Sequence, residues 1–181
     1  MIIFVGESAS GKSSVMQYLV DNFGFIPLIT YTTRAPRDGE IDGVNYHFVT
    51  DEKFHELERN SSFAETAVYG GYRYGSAKQD YVGAHNKVSI LRPHGVRQLK
   101  KNGIEVYVVH IKVPRRIRLI RLLRRGDDID TAYRRNLSDT GQYDGIEDEA
   151  DFVIYDCEND MKIQNIAEAI NNAYTAENQS R

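Results

Sequence analysis

The chain has 181 residues, enough for one α/β domain with small insertions and too few for two large independent domains. Its formal net charge of −3 and its pI near 6.0 give no reason to expect nucleic acid or a membrane surface as a partner. No apolar run approaches the ~20 residues that a membrane-spanning helix needs, and no basic segment followed by an apolar one opens the sequence, so we expect a soluble, cytoplasmic protein.

A glycine-rich stretch directly follows the apolar run from Met1 to Val5 and reads GESASGKS from Gly6 to Ser13. It fits the pattern G-x-x-x-x-G-K-S/T at a point where a buried strand would end and a helix begin. Glycines let the backbone approach an anion closely, and a helix N-terminus directs free N–H groups toward it. A chance glycine-rich turn is the alternative, but the strand pattern before the stretch and the helical pattern after it favour a phosphate-binding loop.

This loop predicts a site for a nucleotide triphosphate. In that site Lys12 would contact the β and γ phosphates, and the Ser13 hydroxyl would bind Mg²⁺. The candidate ATP-binding residues are Gly6, Ser8, Ala9, Ser10, Gly11, Lys12, Ser13 and Ser14.

Short strands and two helices are predicted between the loop and residue 86. The alternation around the Gly70-Gly71 dipeptide is typical of a β-hairpin, so this part reads as a small β-rich insertion. The predicted elements are a helix that ends near Asn22, a strand over Phe25–Ile29, a turn-rich stretch over Thr30–Gly43, a strand over Val44–Val49, a helix over Asp51–Asn60 and a hairpin over Phe63–Tyr74.

Strands alternate with helices again after Asn86, which is typical of a parallel sheet covered on both faces. In such folds ligands bind beyond the carboxyl ends of the strands. The one cysteine, Cys157, cannot form an internal disulfide and is expected to be a structural thiol. The predicted elements are strands over Lys87–Leu91, Ile104–Ile111 and Phe152–Tyr155, helices over Pro93–Lys101, Arg115–Arg125 and about Met161–Tyr174, a polar segment over Asp127–Ala150, and a frayed tail over Thr175–Arg181.

A second cluster of charge lies between Thr30 and Tyr46. Arg34 and Arg37 stand three residues apart, Pro36 stiffens the chain between them, and tyrosines follow. Guanidinium groups bind phosphate oxygens bidentately, so the pair could grip a second phosphate. Taken alone, the segment fits a solvated loop with ordinary surface arginines equally well.

The residues from Thr32 to Phe48 match T-T-R-x-P-R-x-G-E-x-D/N-G-x-x-Y-x-F throughout, and this is the acceptor-site signature of the guanylate kinase family. Together with the phosphate loop and further matches at the right spacing, the likeness covers nearly the whole chain, which therefore resembles a guanylate kinase. The resemblance implies a three-layer α/β P-loop NTPase fold with a central parallel sheet, a small mixed β-rich GMP-binding insertion and a helical lid. The further matches are Phe63-Ala64-Glu65, Tyr74-Gly75-Ser76, Arg124-Arg125-Gly126 and the pair Arg134-Arg135.

By the same resemblance the chain divides into three parts. They are a core of residues 1–30, 86–125 and 151–181, a GMP-binding subdomain of residues 31–85, and a lid of residues 126–150. The implied reaction is Mg²⁺-dependent phosphoryl transfer from ATP to GMP, and to dGMP as well, giving ADP and GDP. The implied partners are these nucleotides, with no nucleic acid and no membrane, and the chain would be a monomer or a homodimer.

The resemblance also assigns an acceptor site. The chemistry supports its Glu65 independently, because guanine presents two adjacent donors that an ionised carboxylate can accept together. Adenine lacks the N1 proton, and a mismatch of this kind can support discrimination of ~10⁴-fold. Glu40 would either orient the arginines or form a structural salt bridge. The candidate GMP-binding residues are Arg34, Arg37, Tyr46 and Tyr74 for the phosphate, Thr30, Glu65 and Ser76 for the guanine, and Glu40 beside them.

Phosphoryl transfer needs positioning and positive charge rather than covalent attack by the protein. The resemblance adds arginines of a lid that would stay mobile until substrate binds and would then exclude water. The candidate catalytic residues are Lys12, Arg34, Arg125 and Arg135, with Arg134 as the alternate to Arg135 and with Arg121 or Arg124 as further contributors. The solvated face of an amphipathic helix is the expected place of Arg115, Arg116 and Arg118.

The sequence departs from the family after the insertion, where the family usually has an acidic cluster of the form L-D/E-I-D-x-Q-G. The run from Ser89 to Val96 has no acid, and Arg92 stands in it. Arg92 could contact a phosphate or form a structural salt bridge, and Tyr155 replaces an asparagine that the family often has near the adenine. We infer a divergent member. Two alternatives remain, a kinase for another deoxy or modified nucleoside monophosphate and a catalytically weak nucleotide-binding or interaction module.

Overall fold

The computed structural model describes residues 1–156 and 162–180, which form two β-sheets with helices packed on them. Cys157 and Met161 lie outside the described residues, so the expectation for the thiol stays a prediction. The strands are β1 Ile2–Val5, β2 Ile26–Pro27, β3 Tyr31–Thr32, β4 His47–Phe48, β5 Phe63–Tyr69, β6 Tyr72–Ala77, β7 Lys87–Ile90, β8 Tyr107–Lys112 and β9 Phe152–Tyr155. The helices are α1 Lys12–Phe23, α2 Asp51–Arg59, α3 Pro93–Lys101, α4 Arg115–Arg124, α5 Ile129–Ser138, α6 Ile146–Glu149 and α7 Ile163–Ser180, with a short 3-10 helix at Lys78–Tyr81.

Strand β1 lies at the centre of a five-stranded parallel sheet with the strand order β2-β7-β1-β8-β9. Its residues alternate between the two faces, and all four are fully buried. Ile2 and Phe4 pack with residues of α1 and α7, whereas Ile3 and Val5 pack with residues of α3 and α6. This arrangement confirms the predicted three-layer α/β fold and places the end of β1, where the phosphate loop begins, in the middle of the sheet.

A second, four-stranded sheet has the order β4-β3-β6-β5, and all its strands lie within residues 31–85. It is mixed, since β3 pairs with β4 in parallel while β6 pairs with β3 and with β5 in antiparallel orientation. Gly70 and Gly71 join β5 to β6 with positive φ at both residues, as a tight hairpin requires. Helix α2 packs on this sheet through Phe54, whose ring stacks on that of Phe63 with 4.6 Å between centroids. The predicted mixed insertion is confirmed, while the domain boundaries drawn around it stay predictions.

Several predicted strands are shorter in the structure. Strand β2 lies at the edge of the central sheet and spans only Ile26–Pro27, because a proline cannot donate a ladder hydrogen bond. The stretch predicted as turns only, Thr30–Gly43, contains the short strand β3. Strand β8 begins at Tyr107 rather than at Ile104.

The C-terminal helix is longer than predicted. It continues to Ser180, so the prediction of a frayed tail from Thr175 is wrong. Ile170 and Tyr174 anchor the helix on the core, and the described residues after them contain no proline or glycine that would end it. Across residues 1–156 and 162–180, no helix combines the length and the apolar character needed to cross a bilayer.

The predicted lid, residues 126–150, contains helices α5 and α6. Two of its apolar side chains are buried, since Ile146 is 0% exposed in the layer beside β1 and Ala132 is 2% exposed. These apolar contacts anchor the lid on the core, although its polar composition predicts few apolar anchors.

Candidate active site

The loop after β1 has the shape of an anion-binding turn. Gly6 has φ +151°, and a Cβ there would lie 2.6 Å from the carbonyl oxygen of Ile111, so only glycine fits this position. Gly11 has φ +96° and caps α1, which begins at Lys12. The loop thus ends at a helix N-terminus, where unpaired N–H groups and the positive end of the helix dipole stabilise an anion.

Lys12 lies across this loop. Its Nζ donates hydrogen bonds to the carbonyl oxygen of Glu7 at 2.7 Å and to the Ser10 hydroxyl at 3.1 Å. Burial penalises the ammonium form and lowers the pKa of Lys12 to about 8, although the carboxylates of Asp139 and Glu7 oppose the shift. A phosphate placed beside it would favour the charged form, so proton binding by Lys12 is coupled to anion binding.

A cavity of about 240 Å³ is lined by the phosphate loop, the second sheet and the junction of β7 with α3. Its lining includes Ser8 and Lys12 of the loop, Glu65 and Tyr74 of the sheet, and Gly95 of α3. We call it the acceptor cavity.

Glu65 is buried at one side of the acceptor cavity, with 5% of its surface exposed. Its Oε1 accepts a hydrogen bond from the Ser76 hydroxyl at 2.7 Å, and the same Ser76 oxygen lies 2.7 Å from the hydroxyl of Tyr81. Burial raises the pKa of Glu65, and the hydrogen bonds from Ser76 oppose that rise. A Cβ on Gly95 would lie 3.0 Å from Oε2, so this oxygen is on the Gly95 side of the carboxylate.

A second cavity of about 410 Å³, the arginine cavity, also has Lys12 in its lining. Arg34 is fixed in it, since its guanidinium donates to Glu40 Oε1 at 2.8 Å and lies over the ring of Tyr46 at 5.4 Å. Glu40 Oε2 also accepts from the backbone N–H of Arg37 at 2.8 Å. The Arg34 hydrogen bond and then that N–H hold the pKa of Glu40 below its usual value. Glu40 therefore orients the arginine segment, Arg34 to Arg37, and does so through an ion pair with Arg34. The orienting role and the salt bridge, expected as alternatives, are thus found together.

The two predicted lid arginines reach the arginine cavity. Arg125 and Arg135 both line it, together with Lys12 and Ser13. Both are paired with one acid, because Asp127 Oδ2 lies 2.7 Å from Nη2 of Arg125 and 2.9 Å from Nη1 of Arg135. These two arginines are therefore held side by side at the mouth of the phosphate loop, whereas the alternate Arg134 is exposed and lies outside this lining.

An acid that no motif predicts, Asp139, lies against the phosphate loop. It follows the last residue of α5, is 3% exposed, and accepts a hydrogen bond from the Ser8 N–H at 2.7 Å. Its other carboxylate oxygen lies 3.7 Å from Arg92, which also lies over the ring of Tyr69 at 4.4 Å. The lid helix is thus tied by charge to the loop, and Arg92 forms the salt bridge that was one of its two expected roles.

Arg118 does not lie on a solvated helix face, so the expectation for it is wrong. It is 6% exposed, its Nε donates to the Val113 carbonyl oxygen at 3.0 Å, and its Nη2 lies 3.4 Å from a carboxylate oxygen of Glu7. Helix α4 packs this arginine beneath the phosphate loop, where Glu7 and Asp139 offset its charge.

A magnesium ion at this site would rely mainly on the nucleotide. Within residues 1–156 and 162–180, no three His, Cys, Asp or Glu side chains gather as a metal site. Ser13 does line the arginine cavity beside Lys12. Because Mg²⁺ usually keeps several waters and phosphate oxygens, a single hydroxyl at a phosphate loop fits what the ion needs from the protein.

Most of the predicted site residues line one of the two cavities that Lys12 also lines, but some do not. Ser76 lies behind Glu65, Ser10 is buried under Lys12, and Gly11 and Ser14 shape the start of α1. Tyr81, Gly95 and Asp139 also lie at the site, although no local pattern in the sequence points to them. The predicted residues that line the acceptor cavity are Gly6, Ser8, Lys12, Thr30, Tyr46, Glu65 and Tyr74, and those that line the arginine cavity are Ser8, Ala9, Lys12, Ser13, Arg34, Arg37, Glu40, Tyr46, Tyr74, Arg125 and Arg135.

Comparison with known proteins gives a consistent result. The guanylate kinase family model matches residues 1–173. The guanylate kinase of Schizosaccharomyces pombe is 36% identical over 145 residues, which cover 75% of this chain and 71% of that protein. The guanylate kinase of Histophilus somni is 32% identical over 172 residues, covering 90% of this chain and 83% of that protein. The crystal structure of guanylate kinase from Anaplasma phagocytophilum has a TM-score of 0.67 at 24% identity and covers 98% of this chain and 85% of its own, a likeness of fold.

Proposed function

The chain belongs to the guanylate kinase family of nucleoside monophosphate kinases, and from that premise we propose that it transfers the γ-phosphoryl group of ATP to GMP, and to dGMP as well. The observation that carries the proposal is the junction of the two cavities. Ser8, Lys12, Tyr46, Tyr69 and Tyr74 line both of them. An acceptor base beside Glu65 and an acceptor phosphate beside Arg34 would therefore lie in adjoining cavities, next to the loop that binds the donor phosphates.

Selection of the base follows from the chemistry of Glu65. An ionised carboxylate only accepts hydrogen bonds, and guanine offers the N1 proton and the exocyclic amino group together. With AMP, the lone pair of adenine N1 would face the buried carboxylate without a proton between them. Two buried acceptors that face each other without a hydrogen bond cost binding free energy, so AMP is expected to be a poor acceptor.

Recognition of the acceptor phosphate is assigned to the arginine segment. Glu40 holds Arg34 and the backbone of Arg37 in place before any ligand binds. A preorganised guanidinium loses little side-chain entropy on binding phosphate, and it presents two parallel donors. Tyr46 and Tyr74 would add hydroxyl donors from the second sheet.

The transfer forms one bond and breaks one. An oxygen of the GMP phosphate attacks the γ phosphorus of ATP, and the bond from that phosphorus to the β–γ bridging oxygen breaks, which leaves ADP and GDP. Negative charge that develops on the transferred group and on the leaving oxygen would be offset by Lys12. Arg125 and Arg135 would exchange their shared partner, Asp127, for phosphate oxygens.

Bound Mg²⁺ would supply further positive charge at the β and γ phosphates, with the Ser13 hydroxyl as its protein ligand. The protein's own part is to position the two phosphates and to keep water away from the reacting atoms. Asp139 and Ile146 anchor the lid segment beside the loop, and this arrangement suits that task.

A coupled assay of ADP release tests the proposal. We expect turnover with Mg·ATP and GMP, lower turnover with dGMP, and almost none with AMP or without acceptor. Lys12→Ala and Glu65→Gln should each lower kcat/KM for GMP by about 100-fold or more, since each removes a group that contacts a reacting phosphate or the base. Glu52→Gln, on an exposed face of α2, is the matched control and should retain full activity.

Acceptor-independent ATP hydrolysis, or preference for AMP, would overturn the proposal. Nucleotide binding without any transfer would instead identify the chain as a binding module of the same fold.

A further inference from the structure

Tyr81 contacts the acceptor site without lining the acceptor cavity. It is the last residue of the short 3-10 helix that follows β6, and its hydroxyl lies 2.7 Å from the hydroxyl oxygen of Ser76. Ser76 is 0% exposed and bonds to Glu65 on its other side. The three side chains form a short chain of hydrogen bonds, Tyr81 to Ser76 to Glu65, which ends at the carboxylate that lines the cavity.

The single proton of Ser76 gives this chain a direction. If Glu65 is ionised, Ser76 must donate its proton to Glu65 and must therefore accept one from Tyr81. If Glu65 is protonated, it can donate to Ser76, and Ser76 would then have to donate to the phenol oxygen of Tyr81. A phenol is a better donor and a poorer acceptor than an alcohol, so Tyr81 favours the first arrangement.

We propose that Tyr81 is a positioning residue for acceptor specificity, which acts through Ser76 to keep Glu65 an acceptor of hydrogen bonds from a base that carries an N1 proton. This inference rests on the proposed function, because it concerns the acceptor of the same reaction. In the favoured arrangement Oε1 of Glu65 accepts a hydrogen bond from Ser76. Oε2 of Glu65, which lies on the Gly95 side, is left to accept from the base.

Burial of Glu65 makes such support necessary. Burial alone raises the pKa of this carboxyl, and the Ser76 hydrogen bonds are what oppose the rise. The charged groups that line the same cavity are Lys12 and Arg92, while Asp80 lies beside Tyr81 and is paired with Lys87 at 3.6 Å. The cavity is also lined by four tyrosines, namely Tyr46, Tyr69, Tyr74 and Tyr143.

The Tyr81→Phe variant tests the inference because it removes one hydroxyl and keeps the ring. We expect kcat/KM for GMP to fall roughly five-fold, mainly through a higher KM for GMP, since one supporting hydrogen bond is lost. The KM for ATP should not change. Without the Tyr81 donor the Ser76 hydroxyl is held less firmly and stabilises ionised Glu65 less. The pKa of Glu65 should then rise, so the acid limb of the pH profile for GMP should move to higher pH.

Three further variants and a second acceptor sharpen the test. Tyr72→Phe, on the exposed end of β6, is the matched control and should leave the kinetics and the pH profile unchanged. Ser76→Ala should move the acid limb in the same direction as Tyr81→Phe and at least as far, because it removes the donor to Glu65 itself. The double variant should lose little more than Ser76→Ala, because both changes interrupt the same chain. IMP, which keeps the N1 proton but lacks the amino group, should show the same shift of the acid limb as GMP.

An unchanged acid limb in Tyr81→Phe would overturn the inference, and so would an equal loss toward ATP, which would indicate general damage to the fold. If the unaltered chain shows no GMP-dependent turnover, the proposed function fails first. Calorimetry of GMP binding between pH 5 and 8 then still tests the role of Tyr81. Removal of the Tyr81 hydroxyl should shift the pH dependence of the Kd for GMP to higher pH.

Discussion

The charge on Lys12 is expected to change with pH near neutrality. Burial lowers its pKa to about 8, so the ligand-free chain loses this positive charge as the pH rises through that value. The ammonium attracts phosphate and the neutral amine does not. Between pH 7 and pH 9 we therefore expect the Kd for ADP to rise about ten-fold, with proton uptake on binding near pH 8, as measured by calorimetry in buffers of different ionisation enthalpy.

Lys12→Arg provides the control for this pH effect, because a guanidinium stays charged throughout the range. Its affinity should be lower than that of the unaltered chain at pH 7 but nearly independent of pH up to 9. A flat profile in the unaltered chain would show that Lys12 keeps its proton in the folded state.

Gly95 limits the space beside the acceptor base. Its φ is not positive, so alanine fits the backbone, yet an added Cβ would lie 3.0 Å from Glu65 Oε2. In Gly95→Ala we expect a several-fold higher KM for GMP, together with an unfolding free energy that is unchanged or higher by up to about 1 kcal/mol, because glycine is unfavourable in a helix. Steady-state kinetics and urea denaturation measure the two effects separately. A parallel loss of stability and of GMP affinity would contradict this account.

Residues within a motif were predictable from the sequence, and residues that act across the fold were not. Lys12 and Arg34 belong to local patterns whose spacing implies a chemistry, and Glu65 belongs to a short match supported by the chemistry of guanine. Asp139 lies 131 residues from Ser8 in the chain, and only the folded structure brings the two together. The burial of Arg118 also depends on which face of α4 packs under the loop, which the charge pattern of the helix does not reveal.

Helix α5 is joined to the phosphate loop by an acid rather than by an apolar seam. Asp139 is 3% exposed and shares its carboxylate between the Ser8 N–H and two arginines, Arg92 and Arg118. Loss of this acid would remove the acidic partner of Arg92 and would leave Glu7 alone to offset the buried charge of Arg118. Asp139 therefore contributes the polar part of the lid's attachment, beside the apolar contacts of Ala132 and Ile146.

Asp139→Ala should loosen that helix. We expect the unfolding free energy to fall by about 1–3 kcal/mol and the amides of α5 to exchange hydrogen faster, because the buried hydrogen bond from Ser8 and the ion pairs with Arg92 and Arg118 are lost. Urea denaturation and hydrogen exchange measure the two quantities. Asp130→Ala, on the exposed side of the same helix, is the control and should change the unfolding free energy by well under 1 kcal/mol. Equal effects of the two substitutions would contradict a specific role for Asp139.

Elements with strong periodicity or clear end signals were predicted closely. Helix α3 has the predicted bounds, Pro93–Lys101, since a proline opens it, and β9 has the predicted bounds, Phe152–Tyr155. The short strands β2 and β3 were not predicted well, because pairing with distant neighbours defines them. The end of α7 was predicted too early, because packing on the core extends a helix beyond its last apolar turn.

At the scale of the whole molecule, ligand binding should stabilise both sheets together. The loop that binds the donor follows the central strand of one sheet, while Arg34 and Glu65 belong to the part of the chain that forms the other. With ADP and GMP each at about 100 times Kd, each ligand should add about 2.7 kcal/mol to the unfolding free energy. We expect each to raise the Tm by roughly 5–10 °C, as measured by calorimetry.

Arg34→Ala separates the two contributions to the Tm. It should abolish the shift caused by GMP and preserve the shift caused by ADP, since Arg34 is proposed to bind the phosphate of GMP and does not belong to the phosphate loop. If the variant kept the full GMP shift, the phosphate of the acceptor would have to bind elsewhere.

The position of β1 has a consequence for how the chain folds. Its two neighbours, β7 and β8, come from residues 87–90 and 107–112, and the carbonyl group packed against Gly6 belongs to Ile111. Contacts between such distant parts of the chain form late, because a long loop must close before they can form. During refolding, helical signal should therefore appear before nucleotide binding does. On the ribosome, the phosphate loop, although made first, would gain its binding shape only after residue 112 has emerged.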